Sequence, residues 1–241
     1  MLDELIRKTI REMVGGSGPP IAFLTPPGDR GLFGPESIAW KVHADFISMM
    51  IGGISSLIMQ ALHPQALAGV WDHSSFREDL KGRLGRTAFF IAATTYGSTE
   101  MADKIIERVN QIHAKINGFD EFGKPYSATD PHLLAWVHLT ETHSFMQAFE
   151  DYRKEKLSPQ DKDQYFVEMK SLGERMGAHH LPSTYAKTDS AIQSYIPELY
   201  YGERAKSILD LLENFPSKVV AKPFIKLITR AGYLNLPDWV Y

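Results

Sequence analysis

The chain has 241 residues, 44% of them hydrophobic and 23% charged, with a formal net charge of −3 at pH 7. That length and apolar content suit a globular fold with a sizeable core and exclude a disordered or fibrous chain. The slight acidic excess, with no basic run longer than two residues, argues against a nucleic-acid partner, and the absence of cysteine excludes disulfides, iron–sulfur clusters and thiolate ligands, so any metal must rest on His, Asp or Glu.

The predicted elements are helices broken by Gly and Pro, with no internal repeat. Asp3 to Met13 is a short amphipathic helix with acid in its first turn and no basic stretch leading into an apolar one, so a secretory signal is not expected and the cytoplasm is the expected location. Gly15 to Pro35 has no periodicity. A long helix follows from Glu36 to Leu62, ended by His63-Pro64, because proline disfavours the α region for the residue before it. Within it Phe46 to Ala61 is the most apolar window. Its 16 residues include Ser48, Ser55, Ser56 and Gln60, against the roughly 20 apolar residues a membrane span needs. It is expected to be a buried central helix, with no membrane span in the chain.

Asp79 to Tyr96 forms the next helix. Another starts with Ser98 or Thr99 as N-cap, carries Glu100 and Asp103 early, and ends at Asn117-Gly118. Phe119 to Thr129 is a turn region with room for a small hairpin around Glu121-Phe122-Gly123-Lys124. Asp130-Pro131 starts a helix to Tyr152 and Ser158-Pro159 one to Met176, each with an acceptor side chain before a proline at the first helical position. Thr188 to Leu199, Tyr201 to Glu213 and Ser217 to Ala231 complete the chain. The expected fold class is all-α, a single multi-helix domain over residues 1–241. Tyr195, Tyr200, Tyr201, Trp239 and Tyr241 are aromatic enough for a homodimer contact or a pocket lid.

Common catalytic motifs are absent: there is no His-Glu-x-x-His, no Glu-x-x-His, no Gly-x-Ser-x-Gly, no Walker loop and no Gly-x-Gly-x-x-Gly. Two features remain. In the helix from Ser98, apolar residues at Met101, Ala102, Ile105, Ile106, Val109, Ile112 and Ile116 make one stripe, and His113 sits on it between Val109 and Ile116. An inward imidazole is either a hydrogen-bonded core residue or a metal ligand. Upstream, Arg83, Arg86 and Thr87 enter a helix that then becomes strongly apolar. Three such donors suit an anion, haem propionates or an oxygen species above iron; the plain alternative is a surface cluster paired with Glu78 and Asp79. His138 and Glu141 share a helix face and can share a metal or a proton, or simply satisfy each other in the core. His179-His180 reads as a helix-end pair interacting with the last carbonyls.

Several stretches in order then resemble one family: Gly31-Leu32-Phe33-Gly34-Pro35-Glu36-Ser37, Trp40-Lys41-Val42-His43-Ala44-Asp45, Gln60-Ala61-Leu62-His63-Pro64, Ala68-Gly69-Val70, His73-Ser74-Ser75-Phe76, Gly82-Arg83-Leu84-Gly85-Arg86-Thr87 and Trp136-Val137-His138. Together they are similar to the domain of the rubber oxygenases (latex-clearing proteins) and the fungal mycophenolic-acid-pathway oxygenase. The resemblance runs from Gly31 to Tyr152 and implies an all-α fold holding haem b, with an imidazole on the iron. In that family an Arg-x-x-Lys-Thr pattern precedes the ligand's Arg-x-x-His-x-x-x-Arg pattern. The first corresponds to Arg83-Leu84-Gly85-Arg86-Thr87, with Arg86 in place of lysine. The second corresponds to Asn110 through Asn117 around His113, with both arginines replaced by asparagine. The rubber oxygenases also have a glutamate base upstream, and His63 to Val70 contains no acid.

The resemblance therefore implies a haem-dependent oxygenase or oxidoreductase acting on a small hydrophobic substrate with dioxygen or peroxide. His113 is the expected proximal iron ligand, Arg83, Arg86, Thr87 and His138 the expected cofactor-binding residues, and Arg83 and Thr87 the groups that orient bound oxygen. A haem-binding sensor or carrier without turnover, and a haem-free helical structural or ligand-binding protein, are the competing expectations.

Overall fold

Capping side chains and prolines decide where the helices begin. In the computed structural model, which describes residues 26–215 and 221–240, the order is α1 (Ile38–His43), α2 (Phe46–Ala61), α3 (Pro64–His73), α4 (Leu80–Tyr96), α5 (Thr99–His113), β1 (Asn117–Phe119), β2 (Pro125–Ser127), α6 (Pro131–Tyr152), α7 (Pro159–Arg175), α8 (Tyr185–Ser194), α9 (Glu203–Glu213) and α10 (Lys222–Leu234). Short 3₁₀ turns follow at Ile196–Glu198 and Asp238–Val240. The fold is all-α apart from one small hairpin. The expected helix Asp3–Met13, the Gly15–Pro35 segment before Pro26 and Tyr241 lie outside the described residues.

The helix expected from Glu36 to Leu62 is two helices. Asp45 takes an extended conformation, φ −85° and ψ 102°, and its carboxylate accepts the Ser48 N–H at 2.8 Å, capping α2. That local bond offers the backbone an alternative to continuing the helix. An ion pair from Arg153 at 3.0 Å holds the same carboxylate. At the other end of α1, the Glu168 carboxylate of α7 accepts the N–H groups of Ile38 and Ala39 at 3.3 and 2.8 Å, satisfying donors that a helix start leaves free. After α2 the chain turns at His63, and Pro64 is the first residue of α3. The axes of α2 and α3 meet at 104°.

The core is built on α2 and α6. Gly52 makes their close approach possible, because a Cβ there would lie 2.7 Å from the Ser144 carbonyl oxygen and 2.9 Å from the Phe145 Cα. One cluster, around Phe145, Met146, Phe149, Tyr165 and Phe166, joins α6 to α7. Another, around Met59, Trp136, Leu139, Ile192 and Tyr195, joins α2 and α6 to α8. α10 lies over α2, with Gly232 against Ile54. No single helix among the described residues is long and apolar enough to cross a membrane, and half of α2, including Ile51, Ile58 and Met59, is buried in the protein.

α5 ends at His113, earlier than expected, because the following residues form the hairpin. Its register pairs Asn117 with Ser127, Gly118 with Tyr126 and Phe119 with Pro125. Asp120 shapes the turn by accepting the N–H groups of Phe122 and Lys124 at 2.9 and 2.8 Å. Tyr126 donates to Asp72 at 2.9 Å and packs with Ala68, Leu133 and Ile116. The hairpin thus anchors the end of α5 to α3 and α6.

Candidate functional site

α4 and α5 carry most of the residues singled out in the sequence, and both are lightly buried. α4 buries only Ala93, Thr94 and Thr95, all in its last turns, and α5 only Ala102 and Ile106. Ile112, expected on the inward stripe, is 49% exposed. A segment with few buried apolar contacts opens locally at low free-energy cost. Arg83, Arg86, Thr87 and His113 therefore sit on two lightly buried helices.

Arg83 and His113 are neighbours across these helices. His113 is half-buried, its Nδ1 is enclosed and has no hydrogen-bond partner, and burial together with the positive charge of Arg83 lowers the imidazole pKa. The ring is held neutral with a lone pair available, the state an imidazole needs to bind a metal. Arg83 donates to Ser74 Oγ at 3.2 Å, and burial followed by the charge of Arg86 lowers its own pKa. Next to Arg83 lies a cavity of about 70 Å³ walled by aliphatic side chains from α2, α3, α4, α6 and α9, including Leu57, Leu67, Leu84, Val137 and Leu212, and by Phe76 from the segment between α3 and α4. Among the described residues its only other polar side chain is Gln60.

The other expected site residues stand apart from this pair. Arg86 is on the surface, 62% exposed, with its guanidinium 3.7 Å from Asp79. Thr87 is exposed and donates back to the Arg83 carbonyl at 3.3 Å. His138 is wedged between α6 and α7, hydrogen-bonded to the Met169 backbone and so close to Gly173 that a Cβ there would lie 2.8 Å from its Cδ2. Burial lowers its pKa to about 4 and raises that of Glu141 to about 7. Of the asparagines that replace the flanking arginines, Asn110 donates to the Arg175 carbonyl at 3.0 Å, tying α5 to α7, and Asn117 begins the hairpin. His43, in the Trp40-to-Asp45 stretch, is a core residue held by Thr95 at 2.8 Å and Tyr165 at 3.1 Å.

A neutral imidazole with an unpartnered buried nitrogen and a nearby guanidinium are groups a haem can use, but the apolar cavity is lined by Arg83 and not by His113. The enclosed space is smaller than the group. Pockets that enclose drug-sized ligands measure roughly 300–1,000 Å³, so the cavity as described is too small to enclose a macrocycle.

Sequence reasoning missed one further constellation. His63, His132 and Glu198 come together from the α2–α3 corner, the first turn of α6 and the 3₁₀ turn after α8. Only the Pro64 that fixes the corner signalled any of it.

In comparisons with known proteins, no curated protein and no solved structure matches the chain. The family described as the catalytic domain of the ER-bound oxygenase mpaB/B' and rubber oxygenase matches residues 40–241. The match takes in α2 to α10, well beyond the Gly31–Tyr152 stretch whose motifs carry the resemblance. With that much of its length matched, the chain belongs to the mpaB and rubber oxygenase catalytic-domain family.

Proposed function

We propose that the protein is a haem b-dependent oxygenase for a small hydrophobic substrate, with His113 as the proximal iron ligand. The observation that carries this reading is the His113 imidazole, kept neutral by burial and by Arg83, with a ring nitrogen that no described residue satisfies. An orphaned buried nitrogen costs free energy comparable to a lost hydrogen bond, and a metal ligand bond removes that cost.

When bound, haem supplies the activation of dioxygen or peroxide. The chain's own residues do the rest. Arg83, anchored through Ser74, holds a positive charge beside the imidazole, where it favours a bound anion or a carboxylate of the cofactor. Leu57, Leu67, Phe76, Val137 and Leu212 exclude water from the cavity and select for apolar molecules. Thr87, one turn beyond Arg83, and Arg86, paired with Asp79, are exposed and turn to other partners in the arrangement described. His138 serves the α6–α7 contact in the arrangement described.

A second reading, haem binding without turnover, is favoured by the cavity itself. Its polar side chains are Gln60 and Arg83, neither of them a base at neutral pH, and α3 carries only one acid, Asp72, which already accepts from Tyr126. Substrate-dependent oxygen uptake by the haem-loaded protein separates the two readings. A haem titration of wild type and His113→Ala, followed by absorption, tests the haem assignment they share.

A further inference from the structure

We propose that His63, His132 and Glu198 form a binding site for a divalent cation of the zinc class, separate from His113. One potential ligand atom from each residue lies within 4.8 Å of the others. His132 Nε2 is hydrogen-bonded to both Glu198 carboxylate oxygens at 2.9 and 3.0 Å, and His63 Nε2 approaches one of the same oxygens at 3.4 Å.

His63 points to a ligand. Its side chain is 1% exposed, Nδ1 has no hydrogen-bond partner among the described residues, and Nε2 has only the long 3.4 Å approach to Glu198. Leaving a buried imidazole nitrogen without a partner is costly. The ring is flanked by aromatic groups, with Trp136 at 6.1 Å and Tyr195 at 6.2 Å between centroids, and the polar side chains beside it are Glu198 and His132, with the charge of Lys124 also felt there.

The surroundings fix the other ligands. Tyr195 stacks on the His132 ring at 4.4 Å and donates its hydroxyl to the His132 carbonyl at 3.0 Å, setting the orientation of that imidazole. The Tyr200 N–H donates to the Leu62 carbonyl at 2.7 Å, tying the segment just after Glu198 to the corner that bears His63. Three segments distant in sequence are thus already held around one point.

Two imidazoles and one carboxylate are the donors that tetrahedral zinc and related first-row ions prefer, whereas magnesium and calcium need mostly oxygen. Zinc bonds of about 2.0–2.2 Å put donor atoms roughly 3.3 Å apart, so the set must contract modestly. His132 and Glu198 are 51% and 34% exposed and can move. Their solvent-facing side leaves a fourth position for water. The ion would brace the α2–α3 corner, and both of those helices wall the cavity beside Arg83.

The test uses the full chain, stripped with a chelator and freed of haem. It is titrated with zinc by calorimetry and with cobalt(II) by absorption, with magnesium as competitor. The expected result is one zinc ion per chain, cobalt bands of tetrahedral intensity, no competition by magnesium, and affinity lowered by about tenfold or more in His132→Ala and Glu198→Gln. These two exposed ligands are chosen because His63→Ala empties a buried position. His113→Ala is expected to bind zinc as wild type does, which separates this site from the haem reading. No saturable zinc binding, or binding unchanged in both ligand variants and lost instead in His179→Ala with His180→Ala, overturns the proposal.

Discussion

His113 lies near enough to Arg83 that the guanidinium charge opposes protonation of its ring, and its buried Nδ1 has no partner. The two residues come from different helices, yet they act together: burial first and the cation second keep the imidazole neutral, and a neutral imidazole adds no charge to oppose an anion at Arg83.

Arg83→Met retains most of the side-chain volume against the cavity and removes the charge. Haem affinity is expected to fall by about tenfold, the loss of one charge-assisted contact, while the folded protein melts within a few degrees of wild type. Arg86→Ala, at a 62% exposed position paired with Asp79, is expected to change haem affinity much less. Equal losses in the two variants would show that both arginines reach the cofactor.

Gly52→Ala probes the α2–α6 contact. The added methyl meets the backbone of Ser144 and Phe145 at 2.7 and 2.9 Å, and backbone in the middle of a packed helix cannot step aside. A loss of about 1–3 kcal/mol in denaturant unfolding is expected. Gly123→Ala, in an open hairpin turn at φ +76°, is expected to cost about 1 kcal/mol or less, through backbone strain alone.

The pH dependence of stability has two limbs. Burial lowers the pKa of His43 to about 3 and of His138 to about 4, so their contribution is present above pH 6.5 and is lost as pH falls, because the unfolded chain takes up protons that the folded one refuses. Glu141 works in the opposite direction. Burial raises its pKa to about 7, so its contribution is present below pH 4.5 and is lost as pH rises through 7. Glu141→Gln is therefore expected to stabilise the protein above pH 7, by about 1 to 2 kcal/mol given the partly solvated side chain, and to change little near pH 4.5. Melting temperatures at pH 4.5 and 8 check this; an equal change at both would contradict it.

Helix starts marked by an acceptor and a proline were legible: Asp130-Pro131 and Ser158-Pro159 open α6 and α7 as expected. His63-Pro64, expected only to end a helix, also starts α3, where His63 makes no capping bond. The break at Asp45 was hidden because the apolar pattern runs on across it, and only the capping bond reveals it. The hairpin lay where the turn residues put it. For the site, the motif order brought Arg83 and His113 to attention, but spacing along one helix could not show that Arg86 turns to Asp79 or that His138 packs on Gly173. His132 and Glu198, 66 residues apart on unrelated elements, have no pattern that joins them.

The central claim is that His113 binds haem iron. Titrating the purified protein with haem and recording the Soret region, in wild type and in His113→Ala, tests it most directly. A sharp Soret band that saturates at one haem per chain in wild type and is shifted or lost in His113→Ala is the expected result. No band in wild type, or the same band in the variant, would contradict it.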